Sequence, residues 1–127
     1  MNQTHEEHIR EQALSLCEAL YNKKALDIIA LNVADKTIIA DWFVICSGRV
    51  SAQVKALCDE IEKKAPEFGL TELRREGYAE GRWIVLDFGT ILVHVFHPEE
   101  REYYNMERLW LDDPRHFVDY SRLKGDR

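Results

Sequence analysis

The side chains that could do chemistry in this chain are few and scattered. Asp87 stands alone on a predicted strand, whereas metal-dependent nucleotidyl transfer normally uses paired acids to hold Mg²⁺. Ser47-Gly48 could present backbone amides to an anion where a strand meets a helix, although a plain turn is the commoner meaning of that pattern. The sequence has neither a glycine-rich phosphate loop nor a nucleophile elbow. These observations favour a protein that is not an enzyme, with no catalytic residues. The alternative is a nucleotidyltransferase-like enzyme or nucleotide binder using Ser47, Gly48 and Asp87.

The histidines and cysteines do not form a pattern typical of a metal site. His94 and His97 are three positions apart on a predicted strand, so their side chains should point to opposite faces. His94 lies inside an apolar run, which is more typical of a hydrogen-bonded sheet histidine than of a catalytic base. The three cysteines fall at apolar positions without a C-x-x-C pair, and we predict that they are buried in a reducing compartment. We expect neither a metal nor a cofactor.

Aromatic residues near the end of the chain are more informative. On the predicted strand 83–88, Trp83 and Asp87 share one face, and the alternate positions are apolar and should enter the core. Four side chains of the helix predicted after Pro98 fall on one broad stripe: Tyr103, Met106, Glu107 and Trp110. Trp, Tyr and Met are prominent in protein interfaces, but the same residues could equally pack the helix against the sheet.

Hydrophobic spacing predicts the elements that must position these residues. Helical periodicity indicates two helices, one at residues 4–22 and one that begins at Ser51. Five strands are predicted, at residues 25–33, 42–46, 71–76, 83–88 and 91–96. The last two should form a tight hairpin at Gly89-Thr90. Strand 42–46 is continuously apolar and should lie in the sheet centre, whereas the polar strand 71–76 should lie near an edge. We also expect these two strands to be the parallel members of a right-handed crossover unit.

Length and charge limit the class of protein further. The chain has 127 residues, enough for one domain with a real core, and carries a formal net charge of −6. This charge disfavours direct, sequence-specific nucleic-acid binding and suits a basic protein partner. No apolar run is long enough to cross a bilayer, and residues 1–12 do not resemble a signal or transit peptide. We therefore expect a cytoplasmic protein without membrane contact.

Six short motifs occur in the order and spacing of the ribosomal silencing factor family, also called the Iojap family. They are DWFVICSG (41–48), QV (53–54), EG (76–77), GRWIVLDFG (81–89), LVHVF (92–96) and EEREYYNMERLW (99–110). The chain resembles the family over about residues 25–110. The resemblance implies an α/β (α+β) fold: a single domain with a mixed five-stranded β-sheet flanked by helices, nucleotidyltransferase-like but without catalytic acids. We expect residues 1–110 to form this domain and residues 111–127 to be a C-terminal tail, short helix or docked arm.

The resemblance also implies a function and a partner. Family members bind the large ribosomal subunit through its ribosomal protein number fourteen, block association with the small subunit and repress translation under nutrient limitation. A homodimer in the free state is expected. The residues implied to bind the partner lie on the hairpin and third helix: Trp83, Asp87, His94, Tyr103, Tyr104, Glu107, Leu109 and Trp110. Trp83 would be the anchor, and Asp87 and Glu107 would face basic groups. A large-subunit assembly factor would use the same docking site and would differ only in timing.

Overall fold

Six strands form one mixed sheet in a computed structural model that describes residues 2–109 and 116–125. The strands are Leu26–Asn32 (β1), Trp42–Ser47 (β2), Arg74–Glu76 (β3), Trp83–Asp87 (β4), Ile91–Phe96 (β5) and Phe117–Asp119 (β6). The α-helices are Asn2–Asn22 (α1), Ser51–Lys64 (α2), Pro98–Tyr104 (α3) and Tyr120–Leu123 (α4), and two 3₁₀-helices span Ala65–Phe68 and Met106–Leu109. The α+β class predicted from the sequence is confirmed, with one strand more than predicted.

The sheet order is β3-β4-β5-β2-β1-β6, and β2 and β5 are its central, parallel pair. Every residue of β2 is buried, as expected of a continuously apolar strand covered on both faces. β3 lies at one edge with all its residues exposed, which confirms its predicted edge position. β2 and β3 run parallel, as expected, but they are not neighbours in the sheet, because β4 and β5 lie between them. The parallel partner of β2 is β5, since β5 supplies an apolar strand and β3 has only charged side chains.

The hairpin between β4 and β5 is as tight as predicted. Gly89 has φ +84°, in the left-handed region that favours glycine. The Phe88 backbone N–H donates to the Ile91 carbonyl at 2.9 Å, and the Gly89 N–H donates to Asp87 Oδ1 at 2.8 Å. The carboxylate of Asp87 therefore stabilises the turn itself.

Helices α1 and α2 cover one face of the sheet. Their apolar stripes pack on alternate residues of the strands, and Ile84, Leu86 and Phe88 lie in this core, as the alternation in the sequence predicts. All three cysteines are buried, as predicted. Burial raises the pKa of each thiol, that of Cys46 to about 12, so the cysteines behave as small apolar side chains.

The other face of the sheet packs against the segment that follows β5. Phe43, Ile45 and Phe96 are buried there, with Trp83 and Met106 partly buried against them. The single helix predicted after Pro98 was expected to extend past Glu107, and that length is wrong. α3 ends at Asn105, which has φ +42°, a left-handed conformation that asparagine tolerates better than most residues. A separate 3₁₀-helix follows, so the predicted stripe of four side chains is broken.

The segment that begins at residue 116 adds to the sheet. β6 pairs antiparallel with β1, and the Ile28 backbone N–H donates to Ser121 Oγ at 2.9 Å in a buried position. The sequence had predicted only a tail, short helix or docked arm here, because three half-buried residues give no measurable alternation. The division of the chain at residue 110 stays a prediction. No helix in the described ranges is long and apolar enough to cross a membrane.

Candidate protein-docking surface

Four aromatic rings form a continuous series from the core to solvent, which we call the aromatic ladder: Phe96, Trp83, Tyr104 and Tyr103. The ring centroids lie 4.9 Å apart for Phe96 and Trp83, 4.8 Å for Trp83 and Tyr104, and 5.0 Å for Tyr104 and Tyr103. Phe96 is fully buried and Trp83 half-buried, whereas Tyr104 is 45% and Tyr103 80% exposed. Large, rigid aromatic side chains supported from below are typical anchors of protein interfaces.

His94 supports the ladder from within the sheet. The Trp83 Nε1–H donates to His94 Nδ1 at 3.2 Å, which confirms the prediction of a hydrogen-bonded sheet histidine. Burial lowers the pKa of His94 to about 4, so the ring is neutral at pH 7 and carries its proton on Nε2. His94 Nε2 has no hydrogen-bond partner among the described residues. His94 is 5% exposed, so in the free chain its side chain bonds Trp83 and has almost no contact with solvent.

Two further residues predicted to bind the partner lie beyond the ladder. Leu109 is 62% exposed on the 3₁₀-helix after α3, where an apolar side chain is available to a partner. Trp110 lies outside the described residues. The roles of both in partner binding stay predictions.

The two acids predicted to face a basic partner already have cations within the chain. Asp87 lies roughly 13 Å along β4 from Trp83, at a rise of about 3.3 Å per residue. Its Oδ2 is 3.5 Å from Arg74 Nη2. Glu107 is 12% exposed, and its Oε2 accepts from Arg101 Nε at 2.8 Å. In the free chain both carboxylates stabilise the fold, and their role in partner binding stays a prediction.

Arg101 is a structural centre of this region that the sequence reasoning missed. Besides Glu107, its guanidinium donates to Ser47 Oγ at 3.0 Å and to the Asp27 carbonyl at 2.9 Å. Arg101 is only 9% exposed. No local pattern distinguishes it from a surface arginine, because Ser47 and Asp27 are 54 and 74 positions away in the sequence. The contact exists only once the sheet has formed.

The geometry does not assemble the site required by the nucleotide-binding alternative. Ser47 is opposite Phe96 in the sheet, whereas Asp87 is opposite Leu92 towards the other end of the same strands. The Ser47 hydroxyl is buried and bonded to Arg101. Within residues 2–109 and 116–125, no group of three or more His, Cys, Asp and Glu side chains could hold a metal ion.

The chain folds as a small α+β domain with an exposed aromatic surface. Ser47 and Asp87, the candidates for nucleotide binding, lie far apart on the sheet. This combination is typical of a protein that docks on another macromolecule. The family model described as ribosomal silencing factor during starvation matches residues 6–126. The chain therefore belongs to the ribosomal silencing factor family.

Individual relatives agree with this assignment. The chain is 47% identical over 96 residues to the ribosomal silencing factor of Halalkalibacterium halodurans, covering 76% of this chain and 82% of that one. It is similar to a crystal structure of a protein from Chromobacterium violaceum, with a TM-score of 0.76, 35% identity, and coverage of 80% of this chain and 85% of the other. A more distant relative is the mouse mitochondrial assembly of ribosomal large subunit protein 1, which is 30% identical over 75% of this chain and 43% of its own length.

Proposed function

We propose that this chain docks on the large ribosomal subunit through ribosomal protein number fourteen and prevents the small subunit from joining. In this way it represses translation in the cytoplasm under nutrient limitation. The observation that carries the proposal is the aromatic ladder, because it places two exposed tyrosines on a rigid, buried base. Family membership supports a ribosomal target, and the ladder supplies the surface for it.

Charge supports a basic protein as the partner. The chain has a formal net charge of −6, and Glu102 is exposed on α3 next to Tyr103 in the sequence. Acidic groups around an aromatic centre steer a basic partner and exclude acidic ones, since like charges repel across an interface. Ribosomal RNA is a poor match for this surface, because its phosphates would meet the carboxylates.

Repression by this mechanism needs no bond to be made or broken. A domain of 127 residues has an expected radius of gyration of about 14 Å. Such a body, bound on the face of the large subunit that meets the small subunit, would hold the two surfaces apart. Steric exclusion therefore accounts for silencing without a catalytic residue or cofactor.

The free protein is proposed to be a homodimer. Tyr103 and Leu109 are exposed apolar side chains that a second copy could cover in the absence of the ribosome. If the dimer uses this surface, ribosome docking and self-association compete. Added large subunits would then shift the protein from dimer to the bound form, which sedimentation measures directly.

A role in assembly of the large subunit is the second candidate, favoured by the name of the mouse relative. It uses the same docking surface on a precursor particle and differs in timing only. An assembly factor would be enriched on immature particles, whereas a silencing factor would bind mature large subunits.

Binding of purified mature large subunits by the parent chain and Tyr104→Ala tests the docking surface. Tyr104 packs on Trp83 and is itself exposed, so removing its ring should weaken binding about 30-fold, equivalent to ~2 kcal/mol. The matched control is Ile38→Ala, since Ile38 is fully exposed in the loop between β1 and β2. Equal affinities for the parent chain and Tyr104→Ala would contradict docking through the ladder.

A further inference from the structure

We propose that Arg101 is the positioning residue of the docking surface. From a buried place beneath α3 it connects this helix to β1, β2 and the following 3₁₀-helix. It thereby sets the position at which Tyr103 and Tyr104 meet a partner. The inference rests on the proposed function for the identity of the partner, but the positioning itself is a property of the free chain.

The contacts of Arg101 reach three separate elements. Nη1 donates to the Ser47 hydroxyl at the end of β2, and Nη2 donates to the Asp27 carbonyl near the start of β1. Nε donates to Glu107 in the 3₁₀-helix. One side chain therefore fixes α3, which carries the tyrosines, and the 3₁₀-helix, which carries Leu109, relative to the sheet.

α3 requires such a connection because it is too short to hold its own position. It has seven residues, and an isolated helix of that length is not stable in water. Asn105 ends it in a left-handed conformation, so no continuous helix carries the orientation onward. A second arginine, Arg82 just before β4, bonds Glu99 and Glu100 of α3 at the surface. Exposed ion pairs of this kind contribute little, whereas a buried arginine with three acceptors is held tightly.

The contact with Asp27 gives a second reason why α3 has one fixed position relative to the sheet. Asp27 has φ +50°, in the left-handed region, next to the irregularity in the pairing of β1 with β2. A residue other than glycine persists in that conformation only when its surroundings require it. Its carbonyl oxygen accepts from Arg101 at 2.9 Å. Strand and helix thus constrain each other at this point.

Lysine cannot take over this role. The three acceptors lie on different elements, and the planar guanidinium with five donors reaches all of them at once. An ammonium group in the same place would leave at least one of the buried acceptors without a donor. Arg101→Lys therefore keeps the charge and removes the positioning.

The first test measures the free chain. Hydrogen exchange of the α3 amides should speed up at least tenfold in Arg101→Lys and in Ser47→Ala, and the near-UV circular dichroism of the Trp83–Tyr104 pair should change. Arg82→Met is the matched control and should leave the near-UV signal as in the parent chain. Unchanged exchange and unchanged near-UV signals in both test variants would overturn the inference.

The second test measures binding to purified large subunits. Ser47 is 3% exposed and bonds Arg101, so Ser47→Ala can affect binding only from within the fold, through Arg101 or through loss of stability. We expect Ser47→Ala to weaken binding about fivefold, and less than twofold when Tyr104→Ala is already present. Ser121→Ala, a destabilising change in α4, controls for loss of stability alone and should bind like the parent chain.

The two proposals fail in different ways. If the parent chain does not bind large subunits but the α3 amides of Arg101→Lys exchange faster, the proposed partner is wrong and the positioning role is upheld. If the parent chain binds and both Ser47→Ala and Arg101→Lys bind equally well, Arg101 is not the positioning residue.

Discussion

Trp83 and His94 show how one pair of side chains serves both the core and the surface. The indole packs on buried Phe96 and Tyr104, and its N–H bonds to a histidine that burial keeps neutral. The sequence placed Trp83 and Asp87 on one strand face and predicted a structural role for His94. It could not show that His94 is the acceptor for Trp83, because the contact between these residues, 11 positions apart, is set by the register of β4 against β5.

The buried histidine predicts a pH dependence of stability. In the unfolded chain His94 takes up a proton near its ordinary pKa of about 6.5, whereas the folded chain does so only near pH 4. The unfolded state therefore binds more protons between these values, and the free energy of unfolding falls as the pH drops from 6.5 to 4. The loss should approach ~3 kcal/mol, since one unit of pKa corresponds to about 1.4 kcal/mol.

A comparison with His94→Gln isolates this contribution by urea unfolding at several pH values. Glu72 acts in the opposite sense, because partial burial and its proximity to Glu62 raise its pKa to about 7. Its effect is common to both chains and cancels in the difference. The parent chain should lose more stability than His94→Gln on acidification from pH 7 to 4.5. Parallel pH profiles would show that His94 is not the group responsible.

At the scale of elements, hydrophobic periodicity found strands β1 to β5 and the first two helices, but it did not give the order of the strands in the sheet. The apolar run of β2 was enough to place it centrally, whereas the pairing of β2 with β5 depends on contacts between distant segments. The end of α3 at Asn105 was missed because the apolar spacing continues beyond it. β6 was missed because a three-residue edge strand carries almost no periodic signal.

The connection of β6 and α4 to the sheet can be tested at Ser121. Its hydroxyl accepts the buried Ile28 N–H, and Ser121→Ala leaves that N–H without a partner. Such a loss costs about 1–3 kcal/mol, so the urea midpoint should fall measurably. Ser15→Ala in α1 is the control and should be neutral or slightly stabilising, since alanine favours helices. An unchanged midpoint in Ser121→Ala would mean that this bond contributes nothing.

For the whole molecule, the motifs in the sequence predicted the family correctly, but little of the proposed docking surface is visible to local patterns. Tyr103 and Tyr104 were named from the resemblance, but the packing of Tyr104 on Trp83 and of Tyr103 on Tyr104 became clear only in three dimensions. Arg101 was not named at all. Surfaces assembled from several elements escape sequence reasoning because their contacts are long-range.

The most direct test of the account is light scattering during subunit joining, with purified protein pre-mixed with large subunits. The parent chain should suppress the scattering increase that follows addition of small subunits. Trp83→Ala removes the indole on which Tyr104 packs, and joining should recover. Ser121→Ala, tested where it remains folded, should still suppress joining. Full joining at saturating parent protein would contradict silencing by steric exclusion.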